Sequence, residues 1–218
     1  GETLAVASGG EITLISADLS EIRAVLNPDD GALGVTWNLD GTQFATVNGF
    51  RNPMITLWDW EAASDQLTSA RQIQTDADQY GVSWSSNGKM LATLAGDAKS
   101  VIQIWDTSTR EVINTFDLPY TKPRRGLQWS MDSSTVYSAG EANEKVIFFA
   151  LNVKDGTVKE LGKFSLVEAE VFAISPTEDR FAVADPRGVV QIIDAVSGDG
   201  LIGIKSVDQP VDLAWNPN

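Results

Sequence analysis

Short runs of alternating apolar and polar residues follow one another along the whole chain. In one representative stretch the runs read GVSWS, MLATLAG after the turn SNGK, VIQIWD and EVINTFDL. An apolar period of two with many β-branched residues predicts half-buried strands, and the Gly, Asn, Asp, Pro and Ser clusters between them predict tight turns. No stretch has a convincing period of 3.6, apart from possible short turns near DWEAASDQ. The pattern therefore predicts a chain that is close to all-β.

A longer repeat is superimposed on the strands. A tryptophan, or once an isoleucine, is followed seven residues later by an apolar residue that opens a short β-prone run. The pairs are Trp37 and Phe44, Trp84 and Leu91, Trp129 and Val136, Ile174 and Phe181, and, across the chain ends, Trp215 and Leu4. These markers divide all 218 residues into five units.

Each unit is predicted to form four short antiparallel strands. The units are expected at about 33–75, 80–118, 125–166 and 170–207, with a last one built from 211–218 together with 1–26. In that last unit the strand Val211–Asn216 would pair with the strand that begins at Thr3. We expect one domain over 1–218, closed within a monomer, because a lone sheet needs neighbours on both faces. The same periodic ends would also suit a fragment that assembles with other copies into a larger ring.

Two units carry a recognisable family motif. The segments ITLWDW at Ile55–Trp60 and IQIWDT at Ile102–Thr107 each follow a marker pair in a unit of the expected length. The chain thus resembles the WD-repeat β-propeller family, although it has no histidine for the usual Gly-His dipeptide and the other units lack the Trp-Asp pair. The resemblance implies a five-bladed β-propeller with four-stranded blades, the last closed by both termini. It also implies that partners are bound by the loop face and the channel mouth.

Composition removes several classes of function. A formal charge of −14 repels phosphate backbones, so we expect no nucleic-acid partner. No apolar run approaches the roughly 20 residues of a membrane span, and a soluble domain is expected. The chain has neither cysteine nor histidine, which excludes thiolate chemistry, disulfides, Ser-His-Asp catalysis and histidine-ligated metals.

Carboxylates are also poorly placed for catalysis. The innermost strand segments VTW, VSW, LQW, FAI and LAW contain no Asp or Glu, and only Glu170 and Asp212 lie just upstream. The acidic segment Asp76–Asp78 has no fuller set of oxygen ligands for a cation. The glycine-rich turns do not open a helix, as a phosphate-binding loop must. We therefore expect no enzyme activity, no catalytic residues, no metal and no cofactor.

The remaining candidates point to a protein or peptide partner. The segment Asp117–Trp129, interpreted as a long loop, brings together residue types that are enriched at interface hot spots, and Trp60 has no counterpart in other units. The predicted partner-binding residues are Tyr120, Lys122, Arg124, Arg125, Trp60 and, in the loop before a third strand, Arg51. The predicted function is a non-catalytic protein- or peptide-binding scaffold. A small-ligand or carbohydrate-binding propeller is the alternative, and it would need exposed aromatic rings at Trp60 or Tyr120.

Overall fold

The computed structural model of the chain is an all-β, five-bladed β-propeller fold, which confirms the predicted fold class. The structure describes residues 3–8, 10–28, 31–49, 52–96, 99–142, 145–164, 171–175, 177, 180–184, 188–194, 197 and 199–205. For residues 8, 121–125, 163, 164 and 171 it describes the backbone and not the side chains. Every regular element in these ranges is a strand. None of the described segments forms a helix that is long and apolar enough to cross a membrane.

The first of two compact units covers Gly1–Phe116. It contains a three-stranded sheet in the order β1-β2-β3 and two four-stranded sheets, β4-β5-β6-β7 and β8-β9-β10-β11. The strands are β1 Thr3–Ser8, β2 Glu11–Ser16, β3 Ile22–Leu26, β4 Gly34–Trp37, β5 Gln43–Asn48, β6 Met54–Glu61, β7 Gln66–Gln74, β8 Gln79–Trp84, β9 Met90–Ala95, β10 Val101–Asp106 and β11 Val112–Asp117. Each sheet is an antiparallel meander.

The second compact unit covers Asp117–Asn218. Its two four-stranded sheets have the orders β12-β13-β14-β15 and β16-β17-β18-β19. The strands are β12 Thr121–Trp129, β13 Thr135–Ala142, β14 Lys145–Asn152, β15 Val158–Phe164, β16 Val171–Ile174, β17 Arg180–Ala184, β18 Val189–Asp194 and β19 Gly200–Lys205. The strand predicted at Val211–Asn216 lies outside the described residues, and so does Trp215.

The seven-residue spacing of the markers is the geometry of a β-hairpin. In four sheets the two members of a marker pair lie directly opposite each other on the first and second strands. These pairs are Trp37 with Phe44, Trp84 with Leu91, Trp129 with Val136, and Ile174 with Phe181. The second member of each pair is 0–2% exposed, so the repeat in the sequence records a repeated core contact.

The hairpin loops share a side-chain cap. The residue that follows each marker is Asn or Ser, and its side-chain oxygen accepts a hydrogen bond from the backbone N–H five residues later. The four bonds are Gln43 to Asn38 at 3.0 Å, Met90 to Ser85 at 2.9 Å, Thr135 to Ser130 at 2.9 Å, and Arg180 to Ser175 at 3.1 Å. Each cap satisfies a backbone donor at the start of a second strand and holds the turn in one geometry.

In the first unit the β4–β7 sheet is apolar on both faces. Phe44 and Trp60 pack on the side of Ile12 and Leu14 from the β1–β3 sheet. On the opposite face, Ala45, Val47, Ile55 and Leu57 pack against Val82, Trp84, Leu91 and Trp105 of the β8–β11 sheet. Strand alternation therefore distributes successive side chains of β5 and β6 between two separate cores.

The core of the second unit contains a cluster of three phenylalanine rings. Phe148 stacks on Phe181 with ring centroids 5.9 Å apart, and it meets Phe172 edge-on at 5.3 Å. Gly126 lies beside the Phe172 ring, where a Cβ atom would be 2.3 Å from the nearest ring carbon. Only glycine fits there, and its φ of +140° also favours glycine.

The segment interpreted as a long loop from Asp117 to Trp129 is mostly a strand, and that prediction was wrong. Residues Thr121–Trp129 form β12, with register shifts on both sides of Pro123. Proline cannot donate to a ladder, and the sheet accommodates it with these local irregularities. The prolines were therefore a misleading loop signal.

Candidate functional site

The first unit contains a cavity of about 180 Å³ between the β3–β4 connection and the β4–β7 sheet. It lies where the β3–β4 connection, through Asn27, Pro28 and Gly31, approaches the ends of β5 and β6. The rim carries the exposed residues Asn27 and Gln72. The cavity is therefore open to solvent at the end of the sheets where the interblade connection lies.

Small residues are common near the cavity. The face of the β1–β3 sheet that packs toward Phe44 carries Ala5, Ala7 and Ala24, although none of the three lines the cavity. Nearby, Gly10 and Gly31 bring two connections into close contact, since a Cβ on Gly31 would be 3.0 Å from the Gly10 Cα. Both glycines have positive φ, +88° and +76°.

The inner wall is polar although it is buried. Thr46, Asn48 and Thr56 line the cavity and are only 3–5% exposed. The Trp58 Nε1–H donates to Thr46 Oγ1 at 2.9 Å, and the Met54 N–H donates to Asn48 Oδ1 at 2.7 Å. These bonds fix the orientation of the threonine and asparagine side chains, which is the property expected of a preformed binding site.

Two features limit what the cavity can bind. None of the ten residues that line it is charged, so a charged ligand would lose its hydration without gaining an ionic partner. The Trp58 ring is stacked on Phe44 with centroids 5.8 Å apart and an interplanar angle of 11°. One face of the indole is therefore already covered by protein.

Tyr120 is a buried structural residue, which corrects the expectation that it is exposed for partner binding. Its side chain is 4% exposed, and its ring stacks on Phe149 at 4.9 Å. Gly140 provides the space, because a Cβ there would be 2.6 Å from the Tyr120 Cβ. Burial raises the pKa of the Tyr120 phenol to about 12, and the nearby Glu160 carboxylate and its hydrogen bond with the phenol act in the same direction.

Trp60 is also buried, which does not fit its prediction as a partner-binding residue. Its side chain is 4% exposed and meets Trp37 edge-on with ring centroids 6.5 Å apart. Its position at the end of β6 was a poor guide, because alternation places Trp60 on the same face as Trp58, toward the β1–β3 sheet. Trp60 is therefore a core residue.

The basic candidates divide into two groups. Lys122, Arg124 and Arg125 have their backbone in β12, and their side chains are outside the described part of the chain. Arg51 also lies outside the described residues, although Asn48 and Met54 on either side of its loop line the cavity. Partner binding by these four residues stays a prediction.

The aspartates of the two Trp-Asp pairs have structural roles. Burial alone would raise the pKa of Asp59, but hydrogen bonds from Ser69 and Gln43 and the Arg71 guanidinium, 2.6 Å away, outweigh it and lower the pKa. Asp106 caps the turn after β10 by accepting hydrogen bonds from the Ser108 hydroxyl and the N–H groups of Ser108 and Thr109, and these lower its pKa to about 2. Among the described residues, no group of three or more Asp or Glu is arranged to hold a metal ion.

The cavity residues were missed by sequence reasoning. Thr46, Asn48 and Thr56 occupy alternate positions of β5 and β6 that the other sheets fill with a mixture of polar and apolar residues. The available signal was a set of polar residues at alternate positions of two paired strands. It becomes visible only when the facing strands are known.

Comparisons with known proteins agree with the fold. The family model for the eukaryotic translation initiation factor eIF2A matches residues 6–140. No curated protein matches the chain. Among solved structures, Kuenenia stuttgartiensis hydrazine synthase is similar with a TM-score of 0.75 and 18% identity; the match covers 92% of this chain and 61% of that chain, so the likeness concerns the fold alone. The family match extends over more than half of the sequence, and the chain belongs to the eIF2A family of β-propeller proteins.

Proposed function

We propose that the chain is a non-catalytic module that binds a protein or peptide at the loop end of a WD-repeat-like propeller. The cavity beside Asn27 and Gln72 is the proposed contact point. Propellers of this kind act by recognition at their connections, and eIF2A itself is named as an initiation factor and not for a chemical reaction. The proposal therefore concerns binding alone.

The observation that carries the proposal is a polar wall that is both buried and held in place. Asn48 and Thr46 are fixed by hydrogen bonds from Met54 and Trp58 within their own sheet, yet they border open space. Buried polar groups are costly unless they are paired, and a preformed set of them facing solvent is typical of a recognition site. A purely structural gap would more commonly be lined by apolar residues.

The alternatives have less support. A carbohydrate site usually offers several uncovered aromatic faces, whereas one face of the Trp58 ring is covered by Phe44 and both Trp60 and Tyr120 are buried. A hydrolytic site would need two convergent carboxylates, and no Asp or Glu lines the cavity. Protein or peptide binding requires neither feature.

A second contact is proposed at the basic residues of β12. Lys122, Arg124 and Arg125 stand out in a chain with a net charge of −14. Arginines are frequent at interface hot spots, and clustered positive charge in an acidic chain favours an acidic segment of a partner. Replacement of Arg124 and Arg125 by Glu is expected to weaken binding of any partner that uses this strand, and unchanged affinity would remove it from the site.

The cavity is tested with a library of random peptides displayed on phage and selected on the immobilised wild-type chain. Affinities of synthetic versions are measured by fluorescence polarisation for the wild type and for Gln72→Trp. Gln72 is exposed at the rim, so the indole blocks the entrance without entering the core. We expect the selected peptides to lose about tenfold or more in affinity, because the side chain that enters the cavity is excluded.

The matched control is Gln66→Trp. Gln66 is also an exposed glutamine of β7, but it lies six residues away, about 20 Å along the strand, and does not line the cavity. This variant should bind the peptides as the wild type does. The proposal is wrong if no peptide is enriched, or if both tryptophan variants bind as tightly as the wild type.

A further inference from the structure

The hydrogen bonds that hold the cavity wall also decide which polar groups remain for a ligand. Asn48 is 4% exposed, and its Oδ1 is occupied by the Met54 N–H at 2.7 Å. Within the described residues its Nδ2 group makes no hydrogen bond. An amide nitrogen donates hydrogen bonds but does not accept them. The Nδ2 group of Asn48 therefore offers the cavity a hydrogen-bond donor.

The two threonines add hydroxyl groups of a similar kind. Thr46 Oγ1 already accepts the Trp58 Nε1–H, so its own proton is available to donate elsewhere. Thr56 lies on the same face, directly opposite Thr46 in the sheet, and is 5% exposed. The Asn48 amide and the two hydroxyls can therefore all donate hydrogen bonds, and a ligand that brings acceptor oxygens can use each of them.

The charge and shape of the cavity narrow the ligand further. A carboxylate would supply oxygens, but no Lys or Arg lines the cavity to compensate its charge. A sugar would supply hydroxyls, but the lining offers it a single aromatic ring, Trp58, one face of which is covered by Phe44. An uncharged carbonyl group satisfies the donors without either penalty, and Met54 offers apolar contact to the methylene groups beside it.

We infer that the cavity selects an uncharged carboxamide side chain, Gln or Asn, of a bound peptide, with its carbonyl oxygen accepting from Asn48 Nδ2. This inference rests on the proposed function, because it names the part of the peptide that enters. Selectivity follows from chemistry alone: Glu and Asp have nearly the same size but would place an unpaired charge against a buried neutral wall. Gln72 and Asn27 at the rim contact the peptide backbone.

The test uses a pair of isosteric probes, N-acetyl-glutamine methylamide and N-acetyl-glutamate methylamide. Binding is followed by the side-chain amide signals of Asn48 and Gln72 in ¹⁵N-labelled protein. We expect saturable shifts with the glutamine probe and at least about tenfold weaker binding of the glutamate probe, since a buried charge without a partner is penalised by more than the hydrogen bond contributes. Equal binding of the two probes overturns the inference.

Two variants check that the donor is responsible. Asn48→Asp keeps the size and the acceptor for the Met54 N–H but loses the donor, and it should no longer bind the glutamine probe. Thr56→Val keeps the shape and removes a hydroxyl, so it provides an independent measurement if Asn48→Asp does not fold. Undiminished probe binding in a folded Asn48→Asp or in Thr56→Val contradicts the inference.

The outcomes separate this inference from the proposed function. If peptides bind and Gln72→Trp abolishes their binding, but the two probes do not differ, the peptide-binding function stands and the selectivity is wrong. If no displayed peptide binds, the probes still test the cavity directly. Saturation by glucose in place of the glutamine probe would assign the cavity to a carbohydrate and would overturn both.

Discussion

At the scale of single residues, two glycines bring two connections together beside the cavity. Gly10 and Gly31 belong to different connections of the first unit, and both have left-handed backbone conformations. Their close contact allows the β1–β2 turn to rest against the β3–β4 connection beside the cavity. Glycine is therefore required at position 31 for two separate reasons, its φ angle and the missing side chain.

The two reasons are separated by comparing Gly31→Ala with Gly41→Ala. Gly41 has a similar φ, +72°, but no atom lies within 4 Å of the point that a Cβ would occupy there. Gly41→Ala should cost only the backbone strain, about 1–2 kcal/mol of unfolding free energy. Gly31→Ala should cost more, because the methyl group also displaces Gly10. Urea unfolding measures both, and equal losses would show that the contact carries no energy.

A second residue-scale prediction concerns the buried phenol of Tyr120. Its pKa rises from 10.0 to about 12 on folding, so the neutral form stabilises the folded chain fully below pH 10.0, and that contribution is lost as the pH rises toward 12. Unfolding free energies of wild type and Tyr120→Phe, measured across the alkaline range, should converge as the pH increases. Parallel curves for the two proteins would show that the phenol titrates normally.

At the scale of elements, each of the two Trp-Asp strands is tied to the preceding strand by the same kind of hydrogen bond. The Trp58 Nε1–H donates to Thr46, and the Trp105 Nε1–H donates to Thr93, both at 2.9 Å. In each sheet the bond joins the second strand to the third and positions an indole between two sheets. The same pair of residue types thus serves two blades.

Thr93→Val tests this bond in the sheet that does not line the cavity. Thr93 is fully buried, and valine keeps its shape while removing the acceptor. We expect a loss of about 1–3 kcal/mol, because the buried indole N–H is left unpaired. Adding Trp105→Phe removes the unpaired donor. In a double-mutant cycle of urea unfolding, the two substitutions together should therefore cost less free energy than the sum of their separate costs. Additive effects would mean that the bond does not stabilise the fold.

The elements were predictable from sequence to a greater extent than the site. Hairpin geometry places marker residues such as Trp84 and Leu91 opposite each other, so a local spacing was enough to identify the strands. The exposure of Trp60 and Tyr120 could not be inferred locally, since it depends on which sheet covers each ring. The cavity depends on where the β3–β4 connection meets the ends of β5 and β6, and no pattern within β5 or β6 indicates that contact.

At the scale of the whole molecule, the first sheet differs from the other four in the exposure of its marker residue, Leu4. Leu4 and Val6 on β1 are 48% and 36% exposed, whereas Phe44, Leu91, Val136 and Phe181 at the position of Leu4 are 0–2% exposed. β1 is an edge of its sheet among the described residues. An uncovered edge with exposed apolar residues favours the addition of a strand. We expect that strand to be Val211–Asn216, as the repeat predicts.

The pairing can be tested with cysteines, since the chain has none. In the β4–β5 hairpin, the Asn38 N–H donates to the Gln43 carbonyl, which makes the neighbouring Trp37 and Phe44 a non-hydrogen-bonded pair. Such pairs have Cα atoms about 4.5 Å apart, within the range of a disulfide. Leu4→Cys with Trp215→Cys, the corresponding marker pair, should therefore oxidise readily, and non-reducing electrophoresis with native mass measurement reports the product.

The matched control is Leu4→Cys with Ala214→Cys, in which the second cysteine is shifted by one residue and points to the opposite face of the strand. It should not form the disulfide. A cross-linked monomer from the marker pair means that the strand comes from the same chain, which is the expected result. A covalent dimer means that a neighbouring copy supplies it, as in assembly into a larger ring. If the marker pair does not oxidise, or the shifted pair oxidises equally well, then Trp215 does not lie opposite Leu4 and the fifth repeat has been assigned in the wrong register.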